Sequence, residues 1–598
     1  MYRASKLALF MLPFLTACFV ESVSGDLKLL ILHNNDMHSH IEEVSQTSGR
    51  CKEPGKCFGG FARVSATVSE IRRSMAGKRH VLFMNAGDTF QGTPYYSIFK
   101  WKIIAQFIDS MGLDVMCLGN HEFDDGPEGL APFLARVSTI SVACNLNITL
   151  EPDLDVPSLR PSIVKIINGT KVGIIGYLTP DTQHMHNTGK VIFLDEIESI
   201  NRESARLKTE GVNIIIALGH SGYYMDQKIA ANCPDVDVVV GGHTNTFLFT
   251  GDAPDIEVPI NTYPKIVTQR SGKNVAVVQA YAFTKYLGHL MVDFDNDGEP
   301  VAFSGNPILL NSSYPEDSKI LATLEHYKEQ VDKRTSGVIG VTKVLLSNAH
   351  KECKLGECNI GNMIADSMVD YNVNKSQSIK SEGWTEAPIA IIQGGGIRGS
   401  INSTAEKGNI TYGDIMQILP FDDLLLRVHV YGRILKQIFE FAVHRYEQTK
   451  VQQVGEFLSV SGVKVFYDVT KPIGQRVILL KVRCGNCTVP VYENVDDNKI
   501  YGIVVTDYLA NGGDKYEIIK DNIISLHPLG ITDHEALHIY INKKSPIYPG
   551  LEGRITVISS NHTESGSEAL KPSYAFFFVI FIVYQFIQSA AGSSITFS

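Results

Sequence analysis

The stretch "LGNHEFDDG", Leu118 to Gly126, places Asn120, His121 and Asp124 within five residues, directly after the apolar run Leu113 to Leu118. Asn, Asp and Gly are ordinary turn residues after a strand, so one such stretch is turn chemistry. The pattern recurs, however. "LKLLILHNNDMHSH" delivers Asp36 and His38, "VLFMNAGD" delivers Asp88, "VNIIIALGH" delivers His220, and "VDVVVGGHTN" delivers His243 and Asn245. Five separate apolar runs thus end in a side chain able to bind a metal, which is what ligand sites at the carboxyl ends of sheet strands require. Turn chemistry alone would not choose His so often.

The residue types narrow the chemistry. Two Asp, three His and one or two Asn suit a borderline divalent ion such as Zn²⁺ or Mn²⁺ better than an all-oxygen calcium cage or an all-thiolate zinc site. Seven candidate donors exceed what one tetrahedral ion accepts. A carboxylate such as Asp88 can bridge two ions, and ions about 3.5–4 Å apart can activate water and neutralise a phosphoryl transition state. Two divalent ions are therefore expected, Zn²⁺ first, with Mn²⁺ or Co²⁺ as alternatives.

The elements that must carry these residues are legible at coarse grain. At 598 residues the chain is too long for one core. Up to about Asp293, strand-like runs alternate with helical stretches, which predicts an α/β layered domain. "EDSKILATLEHYKEQVDKR", Glu316 to Arg334, then sets Ile320, Leu324 and Tyr327 at helical spacing on a charged background, as an exposed helix joining two domains would. A second unit with its own strands and glycine-rich turns follows Ser336. The predicted division is residues 26–315, a linker helix at 316–336, and residues 337–559. A formal net charge of −10 argues against a sequence-independent nucleic-acid binder, so none is expected as a partner. An anionic small substrate would need a local positive centre, which a metal site supplies.

Both termini read as processing signals. Residues 1–25 carry Arg3 and Lys6 ahead of an apolar run and small residues before Asp26, the pattern of a secretory signal peptide. "LTAC" ending at Cys18 could also be a bacterial lipoprotein box, and the C-terminus argues against that. Tyr574 to Ile587 is apolar but only fourteen residues long, short of the about 20 that a spanning helix needs. The triplet Ser559-Ser560-Asn561 precedes it by a spacer of twelve residues, and Ser565-Gly566-Ser567 by six. A spacer of about 8–12 residues is the GPI-signal pattern and favours the first triplet, so residues 560–598 are expected to be removed. An exported chain should use its cysteines as disulfides, and Cys51/Cys57, Cys353/Cys358 and Cys484/Cys487 are close enough to clip loops. Cys117, Cys144 and Cys233 lie in or beside apolar strands and read as buried thiols. Sequons at Asn147, Asn168, Asn311, Asn374, Asn402, Asn409, Asn486 and Asn561 fit the same compartment.

"NDMHSH", "AGDTFQGTP", "GNHEFDDG", "GHSG" and "GGHTN", in that order, resemble the motifs of the calcineurin-like metallophosphoesterases. With "GGGIR" and "LANGGDKY" downstream, the chain resembles the 5′-nucleotidase family, most closely its vertebrate-type, surface-anchored members. The resemblance implies an N-terminal four-layered α/β metallophosphoesterase domain joined by a helix to a C-terminal α/β nucleotide-binding domain. It implies hydrolysis of nucleoside 5′-monophosphates at the extracellular face of the plasma membrane, by a homodimer attached only through GPI lipid. Carried over by motif, Asp36, His38, Asp88 and Asn245 would surround one metal, and Asp88, Asn120, His220 and His243 the other. His121 would stabilise the transition state or protonate the leaving oxygen, with Asp124 orienting its ring. Arg398 and Gln393 in "QGGGIRGSI" would meet phosphate, Phe421 and Tyr508 would sandwich the base, and Asp514 would bind the ribose.

Three departures bear on substrate choice. Lys354 in "CKLGEC" stands where the family has a phosphate-binding arginine, keeping the charge without the fork. Gln393 replaces the usual Asn, and His40 stands where close relatives carry Arg. Apyrase-type hydrolysis of ATP and ADP is therefore the alternative activity. A catalytically inactive binding protein is the remaining alternative, and it would be expected to have lost a ligand or His121, whereas none is missing.

Overall fold

A computed structural model describes residues 27–348, 352–376, 383–402, 407–447 and 454–559. The expected signal peptide, the apolar tail and Asn561 lie outside the described residues. Among the described residues, no helix is long and apolar enough to cross a membrane.

The chain is a two-domain α/β protein. In the N-terminal half, five strands carry the site: β1 (Leu27–Asn34), β2 (His80–Asn85), β3 (Val115–Cys117), β4 (Ile214–His220) and β5 (Val238–Val240). β1, β2 and β3 are parallel neighbours in an eight-stranded sheet, and β4 and β5 are parallel neighbours in a six-stranded one. β1 explains the layering. Leu27, Leu29 and Ile31 face a core shared with the second sheet, whereas Leu30 and Leu32 join a core that includes Phe61, Phe107 and Phe133 of the helices on the outer face. A strand covered on both faces reads as a near-continuous apolar run, which is why Leu29 to Leu32, "LLIL", shows no alternation after the exposed Lys28.

The helix Ser318–Thr335 starts where Asp317 caps it, its carboxylate accepting the Lys319 N–H at 2.9 Å. It is not exposed all round as its charged sequence suggests. Ile320, Leu324 and Val331 join the outer core of the N-terminal half, and Tyr327 meets Phe99 edge to face at 5.0 Å. The charged residues cover the opposite side, so the apolar stripe is a docking face.

The C-terminal half is built on a five-stranded sheet in the order Leu458–Ser461, Ile389–Gln393, Ile500–Thr506, Leu424–Tyr431 and Ser525–Thr532. Ile389–Gln393 runs parallel to Ile500–Thr506, and Leu424–Tyr431 runs antiparallel to it, with Leu425 opposite Thr506. The carboxyl ends of Ile389–Gln393 and Ile500–Thr506 and the start of Leu424–Tyr431 therefore share one edge. Gln393, Tyr508 and Phe421 all emerge there. Cys51–Cys57, Cys353–Cys358 and Cys484–Cys487 are disulfides, and Cys117, Cys144 and Cys233 are buried free thiols.

Candidate active site

The seven predicted ligands meet just beyond the carboxyl ends of β1 to β5. Six are buried and His243 is half-buried. His220 Nε2 lies 2.9 Å from Asp88 Oδ2 and 3.8 Å from Asp36 Oδ1. His38 Nε2 lies 3.7 Å from Asp88 Oδ2 and 3.8 Å from Asp36 Oδ1, and His243 Nδ1 is 2.8 Å from Asn120 Oδ1. Asp88 belongs both to a group with His38 and His121 and to a group with His220 and His243, each with ligand atoms within 4.8 Å of one another.

These residues fit divalent ions. Asp36 Oδ1 is buried without a hydrogen-bond partner, an expensive state for a carboxylate oxygen that a cation would relieve. Burial pushes the Asp36 carboxyl up to about 6, against the pull of His220. Burial disfavours charge on His220 too, yet Asp88 and Asp36 outweigh it and carry that imidazole up to about 10. Carboxylates that hold a proton on a fully buried ring define a place that attracts positive charge. The backbone shows the same specialisation: Asp36, His38, Asp88, His243 and Asn245, five of the seven, have positive φ, a strained state that collects at functional sites. Gly119 is forced by the site, because a Cβ there would fall 2.2 Å from Asp88 Oδ1.

Beside this cluster, His121 Nδ1 is 3.0 Å from both oxygens of Asp124. Burial works against an imidazolium at His121, but Asp124 and Asp88 prevail and raise its pKa. Burial also opposes charge on Asp124, and His121 and His186 overcome it, lowering the carboxyl to about 2. A buried histidine whose imidazolium form is favoured by an oriented carboxylate is suited to give a proton to a leaving oxygen.

A cavity of about 310 Å³ opens over these residues, lined from both halves of the chain. Lys354, Gln393, Arg398, Phe421, Tyr508 and Asp514 all reach it. Arg398 Nη2 lies 2.7 Å from His38 Nε2, which sets its guanidinium at the edge of the ligand cluster. The Phe421 ring stacks on His121 at 5.6 Å and 18°, and Tyr508 hydrogen-bonds Asp514. The structure thus lines one cleft with thirteen of the fifteen predicted site residues, and the fully buried Asp36 and His220 lie behind them, His220 against Asp88. His40 stands behind it, neutral, with burial lowering its pKa to about 4 and its ring against Phe283 at 4.6 Å.

Residues 29–247 match the model for the calcineurin-like phosphoesterase, and residues 338–521 match that for the 5′-nucleotidase C-terminal domain. A 5′-nucleotidase of Homo sapiens is 40% identical over 565 residues, covering 94% of this chain and 96% of that protein. The chain belongs to the 5′-nucleotidase family. A protein of Lutzomyia longipalpis is 44% identical over 541 residues, covering 89% of this chain and 93% of its own length. The crystal structure of a 5′-nucleotidase precursor from Thermus thermophilus aligns with a TM-score of 0.80 at 35% identity, covering 89% of this chain and 99% of that one. Membership of a calcineurin-like family implies two divalent ions, in keeping with the His and Asp groups just described.

Sequence reasoning missed three residues at this family's site. Glu122 is buried and accepts N–H bonds from Gly119, Asp88, Thr89 and Phe90 at 2.5 to 3.2 Å, tying the Asp88 loop to the His121 loop. It sits inside "GNHEFDDG", between Asn120 and His121 on one side and Asp124 on the other, whose roles mask its own. Asp423 lines the cleft, its carboxyl held well above the usual range by burial and by Asp533 and Asp507. His186 touches Asp124, yet it lies eight residues past the strand Thr170–Leu178, so it does not read as a strand-end residue.

Proposed function

We propose that this chain hydrolyses nucleoside 5′-monophosphates, AMP to adenosine and phosphate, outside the cell. The observation that carries the reading is the single cleft in which the ligand cluster, the His121–Asp124 pair and the Arg398, Phe421 and Tyr508 side chains face one another. Asp36, His38, Asp88 and Asn245 would hold one divalent ion and Asp88, Asn120, His220 and His243 a second, Zn²⁺ by donor type. Bound there, the pair would supply Lewis acidity and lower the pKa of water.

The chain's own residues do the rest. Arg398 grips the phosphoryl oxygens through its planar fork, and Lys354 adds a point charge. Gln393 contributes an amide at the same edge. Phe421 and Tyr508 hold the base by its faces, and Asp514 accepts from the ribose hydroxyls. As the bond from phosphorus to O5′ breaks, His121 gives its Nε2 proton to O5′. Water forms the new bond to phosphorus, and one of its protons restores His121. The leader, the disulfides and the sequons support an exported protein, the tail supports GPI attachment, and the resemblance supports a homodimer.

Asp88→Asn is the test, because Asp88 is the carboxylate common to both donor groups. The folded variant should bind less than the wild type's two equivalents of metal by elemental analysis and lose about 10³-fold or more of AMP turnover, a loss of the order that removal of a transition-state group produces. Full metal content with near-normal turnover would sink the two-metal reading. Phosphate release from AMP, ADP and ATP measured side by side separates the nucleotidase from the apyrase alternative.

A further inference from the structure

His186 completes a ring of contacts around the proton donor. Its Nδ1 lies 2.9 Å from Asp124 Oδ1, the carboxylate that also holds His121 Nδ1. Its Nε2 lies 3.2 Å from Asn120 Nδ2. An amide nitrogen can only donate, so Nε2 accepts and the ring proton sits on Nδ1, where it is donated to Asp124. The His186 and His121 rings meet edge to face at 5.1 Å, which fixes both planes. Asn120 Oδ1 is meanwhile 2.8 Å from His243 Nδ1, so the same amide is pinned with its oxygen toward the ligand cluster.

We propose that His186 is a positioning residue for the hydrolysis: by donating to Asp124 and accepting from Asn120, it locks the His121–Asp124 pair in register with the metal cluster. The inference rests on the reading of His121 as the group that protonates the leaving oxygen. A lone Asp124 with both oxygens near one imidazole could rotate about its side-chain bonds. Engaged by a second donor from the other side, it cannot, and His121 keeps its Nε2 aimed at one point in the cleft. Partners that orient a catalytic or ligating group in this way are typically worth about 10–100-fold.

The test uses two substrates and four substitutions. The nucleoside oxygen of AMP needs a proton as it leaves, whereas p-nitrophenolate leaves without one, so only the first depends on an aimed His121. His186→Ala should lower kcat for AMP about 10–100-fold. It should change KM by less than about twofold and largely spare p-nitrophenyl phosphate. His186→Asn puts an amide N–H where Nδ1 stands and should recover most of the AMP turnover. His186→Gln reaches only the Nε2 position and should not. Unchanged AMP turnover in His186→Ala overturns the proposal, and so does failure of His186→Asn to recover it. Equal loss on both substrates with lowered metal content also overturns it, making His186 a prop for Asn120 alone. His121→Ala separates this inference from the reading beneath it: retained AMP turnover there would remove the proton donor itself, whatever His186 does.

Discussion

The Tyr508 hydroxyl accepts the Asp514 N–H at 3.0 Å and donates to Asp514 Oδ1 at 3.1 Å, while its ring lines the cleft. Asp514 needs that clamp, since its φ of 50° is a left-handed conformation that a non-glycine residue holds only when its surroundings impose it. One side chain therefore does two separable jobs. The ring offers a face to a base, worth about 1–3 kcal/mol per stacked base, and the hydroxyl holds the carboxylate proposed to meet the ribose. Tyr508→Ala should raise KM for AMP by the stacking amount or more and spare p-nitrophenyl phosphate. Tyr508→Phe should fall between wild type and Tyr508→Ala. Equal loss on both substrates in either variant would mean that Tyr508 supports the fold rather than the nucleotide.

At the scale of elements, the site exists because strands end together, and one pair of residues inside the first sheet shows how tightly that is set. His33 on β1 stands opposite Gly288 of the strand Tyr286–Phe294, and its Nε2 is 2.8 Å from Tyr263 Oη. A Cβ at position 288 would fall 2.1 Å from His33 Nε2, so Gly288→Ala should cost about 1–3 kcal/mol by overpacking. Burial, with His289 nearby, also keeps His33 neutral and lowers its pKa from 6.5 to about 3. Between those values the unfolded chain takes up a proton that the folded chain refuses, so this contribution is complete above 6.5 and is lost as pH falls toward 3. His33→Gln keeps a hydrogen-bonding amide near the Nε2 position without titrating. Its melting temperature should fall less steeply than that of the wild type over this range, and parallel curves would count against the assignment. Strand ends of this kind are legible in a sequence because buried parallel strands read as apolar runs, and Asp36, Asp88, His220 and His243 follow such runs within a few residues. Gln393, Phe421 and Tyr508 become neighbours only through the pairing of three strands distant in sequence, which no local pattern encodes. Resemblance to a family, rather than spacing, is what singled them out. Neither route finds His186, which follows a helix, Thr182–Met185, too short to carry a periodicity; the apolar stripe of the linker helix is legible as Ile320, Leu324 and Tyr327, but its charged background reads as exposure rather than docking.

At the scale of the whole molecule, both halves are needed to close the cleft, and direct contacts hold them to it. Lys52, in the loop clipped by Cys51–Cys57, reaches Asp414 at 2.8 Å, and Lys515 reaches Asp181 at 2.6 Å. Every residue proposed for binding or chemistry lies between Asp36 and Asp514, so nothing in the mechanism calls on residues 560–598. If Tyr574 to Ile587 belongs to a GPI signal, the mature chain is held at the membrane by lipid alone. Deleting everything after Ser559 should then yield a secreted enzyme with unchanged kcat and KM for AMP. Phosphatidylinositol-specific phospholipase C should release active enzyme from intact cells, provided the anchor inositol is not acylated. Mass spectrometry of the surface protein decides between the anchors: recovery of the Tyr574 to Ile587 peptide from the mature chain would replace the lipid with a short membrane-inserted segment. The truncated enzyme should remain fully active in either case, because its cleft is complete before the tail begins.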